Sequence, residues 1–331
     1  MTGQERGPAP LLSRAETTAV LSEVLRRVRG ADARLVDWTA ERLKHGRHPV
    51  VRYDLRVTLG GGGATRRYSW AGKFYWHDEA ACRVADLVAA LAPTGLRARG
   101  GVVIPAVLAY HRPHRILFSV YERGQALAAA ILQFGGRVVA TLGRAVAAFH
   151  ATPLHVATRI TPQAVLDDLR SRIARGDDRV RAVGSLSGLV DQLERDLPAA
   201  SGRATGALLH GDLGPAHLLW RRSGVVMLDL DRCARGDPAL DLGNLLAQWR
   251  RIALRRPGEV PGFAPVRAAL LTSYQRCGTR DPGLPARAAW YERATLLRKI
   301  HSLLTDTTRH PEPEALRRRQ GEAVRLLWTG T

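Results

Sequence analysis

Lysine is nearly absent from this chain: of 50 basic residues, 47 are Arg and only Lys44, Lys73 and Lys299 are Lys. Cysteine is scarce too, and Cys82, Cys233 and Cys277 are odd in number and far apart, which excludes a disulfide framework and a zinc cluster. They read as reduced thiols. Cys233 lies near an acidic motif, but no activating His–Cys arrangement accompanies it, so it is expected to be a bystander. No stretch reaches the roughly 18 uninterrupted apolar residues of a membrane span. The opening MTGQERGPAP has no apolar signal core, and a cytoplasmic protein without membrane association is expected. No internal repeat and no long low-complexity linker is present.

What is there begins with core material. A chain of 331 residues with 45% apolar content can fill one large domain or two lobes. The net charge of +20 invites a nucleic-acid or membrane-surface reading. The arginines are, however, scattered through every segment with no aromatic-interleaved stripe, so they read as a compositional bias and no specific nucleic-acid partner is expected. Against that background Lys73, in the run YSWAGKFYW, stands out. An ammonium is a compact point charge that fits between two phosphates, a task Arg performs poorly.

The pattern along the chain is of the α+β class. Residues 10–29 have helical spacing, with Ser13 and Glu16 placed for a capping box. Three strand-like runs follow, RLVDWTAERL, PVVRYDLRVTL and RRYSWAGKFYW, separated by KHGRH and GGGGAT. DEAACRVADLVAAL returns to helical spacing, and VVIPAVLAYH and RILFSVYE read as two more strands. The expected organisation is a helical extension over 1–32, a small antiparallel lobe with one helix over 33–122, and a larger, mainly helical lobe over 123–331. Helices are expected near 125–150, 162–176, 185–197, 238–256, 264–277, 285–308 and 312–328.

Residues 208–242, LLHGDLGPAHLLWRRSGVVMLDLDRCARGDPALDL, interrupt the helical lobe and carry the chemistry. Phosphoryl transfer needs a positioned hydroxyl and cations that hold the phosphate oxygens in line. Asp212, in a loop after the apolar run ALL, can accept a hydrogen bond and then a proton from an attacking hydroxyl. His217, five residues on, and Asp229, at the end of the strand GVVML, can converge on a metal that bridges phosphates.

HGDLGPAHLLW followed by VMLDLDRCARGDPALDL resembles the aminoglycoside phosphotransferase and choline kinase group of protein-kinase-like enzymes, whose pattern is H-G-D-L-x-P-x-N, then I-D-F, then D-P-x-x-D-L-A. The resemblance covers most of residues 33–250, weakly outside the motifs. It implies a bilobal protein-kinase-like fold, ATP or GTP with Mg²⁺ or Mn²⁺ as cofactors, Asp212 as the catalytic aspartate and Asp229 as the metal-binding aspartate. It places Lys73 on the α and β phosphates, with Glu79 as its ion-pair partner and Asp78 and Asp86 as alternatives. Ser119, Val120 and Tyr121 match the interlobe hinge, whose backbone would bond a base edge. AFHATP resembles the LHATP ending of a family helix, making His150 structural. One residue departs: His217 stands where the family has Asn, as in a macrolide-kinase branch reading H-G-D-L-x-P-G-H. Magnesium prefers oxygen, so His217 either binds metal through a neutral ring nitrogen or orients Asp212.

Several residues keep two readings. Asp231 binds a second metal or substrate, or pairs with Arg232 or Arg235. Asp237 and Asp241, with His210, brace the catalytic loop, and Asp237 also suits an N-cap before Pro238. The tetraglycine at 60–63 lacks the Gly-Lys-Ser/Thr that a Walker loop requires. The turn from Lys44 to His48 is better placed to cover a nucleotide, with Gly46 letting the backbone approach and Arg47 or His48 contacting phosphate; a solvated hairpin turn is the alternative. Over residues 242–331, 16 Lys plus Arg face 7 Asp plus Glu, a balance of +9 that disfavours a polycationic acceptor. Trp249, Tyr274, Trp290 and Tyr291 either line an acceptor wall or pack the core. The leading expectation is a small-molecule O-kinase for an antibiotic, sugar or metabolite, its acceptor neutral or anionic. A peptide Ser/Thr kinase of natural-product maturation and a nucleotide-binding pseudokinase scaffold are the alternatives. Nothing in the sequence specifies an oligomeric state.

Overall fold

The computed structural model describes residues 12–45, 48–60, 65–175, 185–197, 206–278, 280–305 and 313–330. The chain divides into two units: Met1–Gly95 with Ile104–Arg123, and Leu96–Val103 with Gly124–Thr331.

The first unit opens with α1 (Arg14–Arg29), whose capping box forms as its sequence dictates: Glu16 N–H donates to Ser13 Oγ and Ser13 N–H to Glu16 Oε2. Strands β1 (Arg34–Lys44), β2 (Val50–Thr58) and β3 (Thr65–Phe74) follow, then α2 (Asp78–Leu91) and strands β5 (Val107–His111) and β6 (Ile116–Val120). The five strands form one antiparallel sheet in the order β1-β2-β3-β6-β5. Along β2, Val51, Tyr53, Leu55 and Val57 are buried at every second residue, the period of a half-buried strand. Val20, Leu21, Val24 and Leu25 of α1 join the same core, so this helix belongs to the unit.

The second unit begins inside the first. Residues 96–103 form α3 (Leu96–Gly100) and β4 (Val102–Val103), and β4 pairs in parallel with β11 (Gly224–Met227). After Arg123 come β7 (Gln125–Ala126), α4 (Leu127–Phe134), α5 (Gly136–His150), β8 (Arg159–Ile160), α6 (Pro162–Ala174) and α7 (Ser185–Arg195). The helix expected over 125–150 is thus two helices, because Gly135 takes φ +55° between them. Short strands β9 (Ala207–Leu209), β10 (Leu218–Arg221) and β12 (Ala234–Gly236) surround the central motif. The chain ends in α8 (Ala239–Arg255), α9 (Phe263–Cys277), α10 (Leu284–Thr305) and α11 (Pro313–Gly330). α10 packs along α8 and α9 along α5. No helix among the described residues is long and apolar enough to cross a membrane.

Candidate active site

A tight hairpin brings the central residues together. β10 and β11 pair from Arg221↔Gly224 to Leu218↔Met227, and Leu228 N–H donates to the His217 carbonyl at 2.9 Å. His217 therefore lies across from Leu228, and Asp229 is next in the chain. Its Oδ2 is 3.7 Å from His217 Nε2. Asp229 takes φ +65°, a left-handed conformation that a non-glycine residue adopts at a cost and that Asp tolerates better than most. Local strain of this kind collects where a side chain must be aimed.

The other ring nitrogen of His217 fixes its tautomer. Nδ1 lies 2.8 Å from the Asp212 carbonyl oxygen, which only accepts, so Nδ1 carries the proton. With Nδ1 as the donor, Nε2 is the ring nitrogen turned toward Asp229, the one a metal ligand would use. The ring that lies 3.7 Å from Asp229 also ties down the Asp212 backbone. His210 stacks nearly parallel to it at 5.6 Å. His210 is fully buried, donates from Nε2 to the Leu228 carbonyl at 2.8 Å and accepts the Asp212 N–H at Nδ1. Burial pushes its pKa down, keeping the ring neutral.

Asp241 holds this loop from beneath. It is fully buried at the start of α8 and accepts the His210 N–H (2.7 Å), the Gly211 N–H (2.9 Å) and His150 Nε2–H (3.1 Å). Burial alone would raise its carboxyl, but the His150 hydrogen bond and the charges around it hold it below the ordinary range. His150 is oriented in turn by Tyr274, whose hydroxyl lies 2.9 Å from Nδ1. Gly211 is obligatory: it takes φ +79°, and a Cβ there would collide with the Arg232 carbonyl oxygen. Asp237 accepts the Ala239 N–H at 2.9 Å, one residue before the N-cap position that Pro238 fills. It also pairs with buried Arg287 at 2.6 Å, and Arg287 reaches on to Asp281 at 2.7 Å.

Asp212 is half-buried, with its backbone engaged on both sides. Asp231 is exposed; of the arginines considered for it, Arg235 donates to the Leu154 carbonyl at 3.1 Å and Arg232 lines a cavity. Cys233 is buried and its thiol is pushed up to about 12 by that burial, as befits a bystander. Trp249, Tyr274, Trp290 and Tyr291 are all buried, Trp290 donating to the Leu193 carbonyl at 2.9 Å.

The donor set can be tested for a divalent ion. Two ligands each about 2.1 Å from one ion lie at most about 4.2 Å apart, so the 3.7 Å between His217 Nε2 and Asp229 Oδ2 fits. Among the described residues no group of three His, Cys, Asp or Glu side chains gathers for a metal. Such an ion would take its other ligands from phosphate and water, the usual habit of Mg²⁺, while the imidazole suits Mn²⁺ better.

In the first unit, Lys73 pairs across the sheet with Val50 and Leu117, its ammonium 5.2 Å from the centre of the Tyr75 ring. Gly72 beside it lets Tyr53 and Ile116 approach closely. Glu79 and Asp86 are exposed, and neither pairs with Lys73. Asp78 is engaged elsewhere, accepting the Tyr110 hydroxyl and lying 3.8 Å from Arg115 Nε. At the hinge, the Val120 and Tyr121 N–H groups already donate to the Ala106 and Ser69 carbonyls, at 2.9 and 3.0 Å. Those two donors are spent within the sheet; Ser119 sits opposite Ala71 and Val107. Gly46 and Arg47 lie outside the described residues, while His48 Nδ1 is 3.2 Å from the Phe74 carbonyl.

Sequence reasoning missed Tyr274 and Arg287 as braces. Both sit on late helices, 124 and 50 residues from their partners His150 and Asp237, and no short motif announces them.

A family model described as the phosphotransferase enzyme family matches residues 66–291. No curated protein sequence matches the chain. Among solved structures, the chain is similar to wild-type aminoglycoside 2'-phosphotransferase-IIIa in its GDP complex, at 13% identity, with 94% of this chain and 99% of that one covered and a TM-score of 0.60. It is similar to choline kinase LicA from Streptococcus pneumoniae at 12% identity, with 95% and 99% covered and a TM-score of 0.61. It is similar to an ethanolamine kinase from Plasmodium vivax at 9% identity, with 98% and 91% covered and a TM-score of 0.63. These likenesses show the protein-kinase-like fold.

Proposed function

Since the chain belongs to the phosphotransferase enzyme family, we propose that it moves the γ-phosphoryl group of ATP or GTP to a hydroxyl of a small molecule. The observation that carries this reading is the loop His210–Asp212, clamped by buried Asp241 and tied through the Asp212 carbonyl to His217, which lies 3.7 Å from Asp229. In this scheme the acceptor hydroxyl donates a hydrogen bond to the Asp212 carboxylate. As its oxygen bonds to the γ-phosphorus, the hydroxyl proton passes to Asp212, the bond to the bridging oxygen breaks, and the nucleoside diphosphate leaves. Lys73 supplies a point charge to the remaining phosphates. A Mg²⁺ or Mn²⁺ ion held by His217 and Asp229 would neutralise charge on the phosphate oxygens. The Ser119–Tyr121 carbonyls, rather than the spent N–H groups of Val120 and Tyr121, are the hinge groups assigned to a base edge.

The acceptor is read as neutral or anionic. Within residues 242–331 the described acids are all engaged: Glu259 with Arg256, Asp281 with Arg287, Glu292 with Arg250, Glu314 with Arg318, and Glu322 with Arg251 and Arg255. None is left for a polycation. The test is nucleotide consumption by the full chain with Mg²⁺ or Mn²⁺ across a library of hydroxyl acceptors. We expect turnover with a small molecule that Asp212→Ala abolishes. Nucleotide binding without turnover on any acceptor would favour a scaffold instead, and transfer to peptides alone a peptide kinase.

A further inference from the structure

Beside the catalytic loop, wholly within the second unit, lies a cavity of about 230 Å³ whose lining includes Gly211, Asp168, Tyr291 and three arginines, Arg159, Arg232 and Arg298. Its charge is unbalanced. Asp168, the carboxylate on its wall, is held by Arg172 at 2.7 Å. Arg159, Arg232 and Arg298 make no side-chain hydrogen bond or ion pair with any described residue. Such guanidiniums stay charged at neutral pH and present planar donor forks that match carboxylate and phosphate. Arg298 is half-buried on α10 and within electrostatic reach of Asp212.

A second, independent observation concerns Tyr291. Its side chain is 1% exposed, it lines the same cavity, and its hydroxyl has no hydrogen-bond partner. Buried hydroxyls are almost always paired, so an unpaired one on a cavity wall marks a place for a ligand's polar atom. The volume also limits the guest, being below the roughly 300–1,000 Å³ of pockets for drug-sized molecules.

We propose that the acceptor is a small hydroxylated molecule carrying an oxyanion, a carboxylate or a phosphate ester, held by Arg298 and Arg232 with a hydrogen bond from Tyr291, so that its hydroxyl meets Asp212. This rests on the phosphotransfer reading above and narrows its acceptor class.

Two measurements test it separately from that reading. In the first, inorganic phosphate is titrated by calorimetry against the full chain at fixed ionic strength, with saturating nucleoside diphosphate to occupy the nucleotide site. Arg298→Gln is expected to weaken phosphate binding at least tenfold and leave nucleotide affinity unchanged. Equal binding by wild type and variant, or none in either, overturns the proposal even if the chain is an active kinase. In the second, nucleotide consumption is compared across matched pairs, each hydroxy acid against its amide and each hydroxyalkyl phosphate against the parent diol. The expected result is at least tenfold higher kcat/KM for the anionic members, lost in Arg298→Gln through a raised KM. Preference for carboxylates or for phosphates names the source of the anion, and equal use of neutral members refutes the idea. Should Arg298→Gln not fold, Arg232→Gln carries the same tests, since its side chain is exposed and its loss removes no core packing. A wild type that binds phosphate in an Arg298-dependent way but consumes nucleotide with no acceptor would support the anion site and sink the phosphotransfer reading instead.

Discussion

Replacing Asp241 with Asn changes one buried oxygen into an NH₂ group and removes one charge. In the native loop the two carboxylate oxygens accept three donors: the His210 N–H at 2.7 Å, the Gly211 N–H at 2.9 Å and His150 Nε2–H at 3.1 Å. An amide has one acceptor oxygen, so at least one donor is left facing an N–H in a fully buried site. Losing a charge-assisted bond costs about 1.5–3 kcal/mol and stranding a buried donor about 1–3 kcal/mol. The sum is about 2.5–6 kcal/mol, a large part of the roughly 5–15 kcal/mol that keeps a domain folded. Urea unfolding at pH 7 measures it. Because the donors belong to the segment that aims Asp212, kcat should fall with stability. The carboxyl is depressed in the folded state, so its contribution is complete above the unfolded value near 3.9 and is lost as pH falls through the lower folded value. Wild type should therefore lose stability on acidification below about pH 4 in a component that Asp241→Asn lacks. A variant within about 1 kcal/mol of wild type, with unchanged kcat and the same acid limb, would refute the account of Asp241 as the clamp.

Asp212→Asn should lower kcat by about 10²–10⁴ with little effect on unfolding, since its half-buried carboxylate makes no hydrogen bond with a described residue; an unchanged kcat excludes it as the base. His217→Asn exchanges an imidazole nitrogen for an oxygen, and activity titrated with each metal should shift toward Mg²⁺ over Mn²⁺. Gly211→Ala combines a left-handed backbone with a collision against Arg232 and should cost at least about 3 kcal/mol, read as a drop in Tm. In the native protein at pH 8, exposed Cys277 should react with a thiol reagent much faster than buried Cys233, by mass spectrometry of labelled peptides.

The sequence made the central loop legible because its parts are local. Asp212, His217 and Asp229 are tied by a hairpin that a two-residue turn dictates, and the capping box of α1 could be read letter by letter. Asp241 was also readable, at a fixed distance along the same segment. What stayed hidden depends on packing between distant helices. Tyr274 reaches His150 and Arg287 reaches Asp237 only because α9 and α10 fold back onto the motif. The expected Lys73–Glu79 pair illustrates the opposite failure. The resemblance offered Glu79 for that pair with Asp78 and Asp86 as alternatives; in the fold Asp78 takes the contacts to Tyr110 and Arg115, and Glu79 is exposed. For the segment Ser119–Tyr121, expected as a hinge, only the backbone hydrogen bonds show that the Val120 and Tyr121 donors are already spent.

The two units are interleaved in sequence, and this bears on how such a chain can be cut and recombined. Residues Leu96–Val103 fall between α2 and β5 of the first unit but belong with the second, where β4 flanks the strand leading to Asp229. A single breakpoint at Arg123 would therefore carry β4, an edge of the sheet that β10 and β11 build, away with the first unit. Exchange of the first unit between relatives, by gene fusion or by recombination, demands three junctions, after Gly95, Val103 and Arg123, so that the eight-residue insert is spared. The late helices of the second unit are bound into the same inheritance, because Tyr274 and Arg287 on them hold His150 and Asp237.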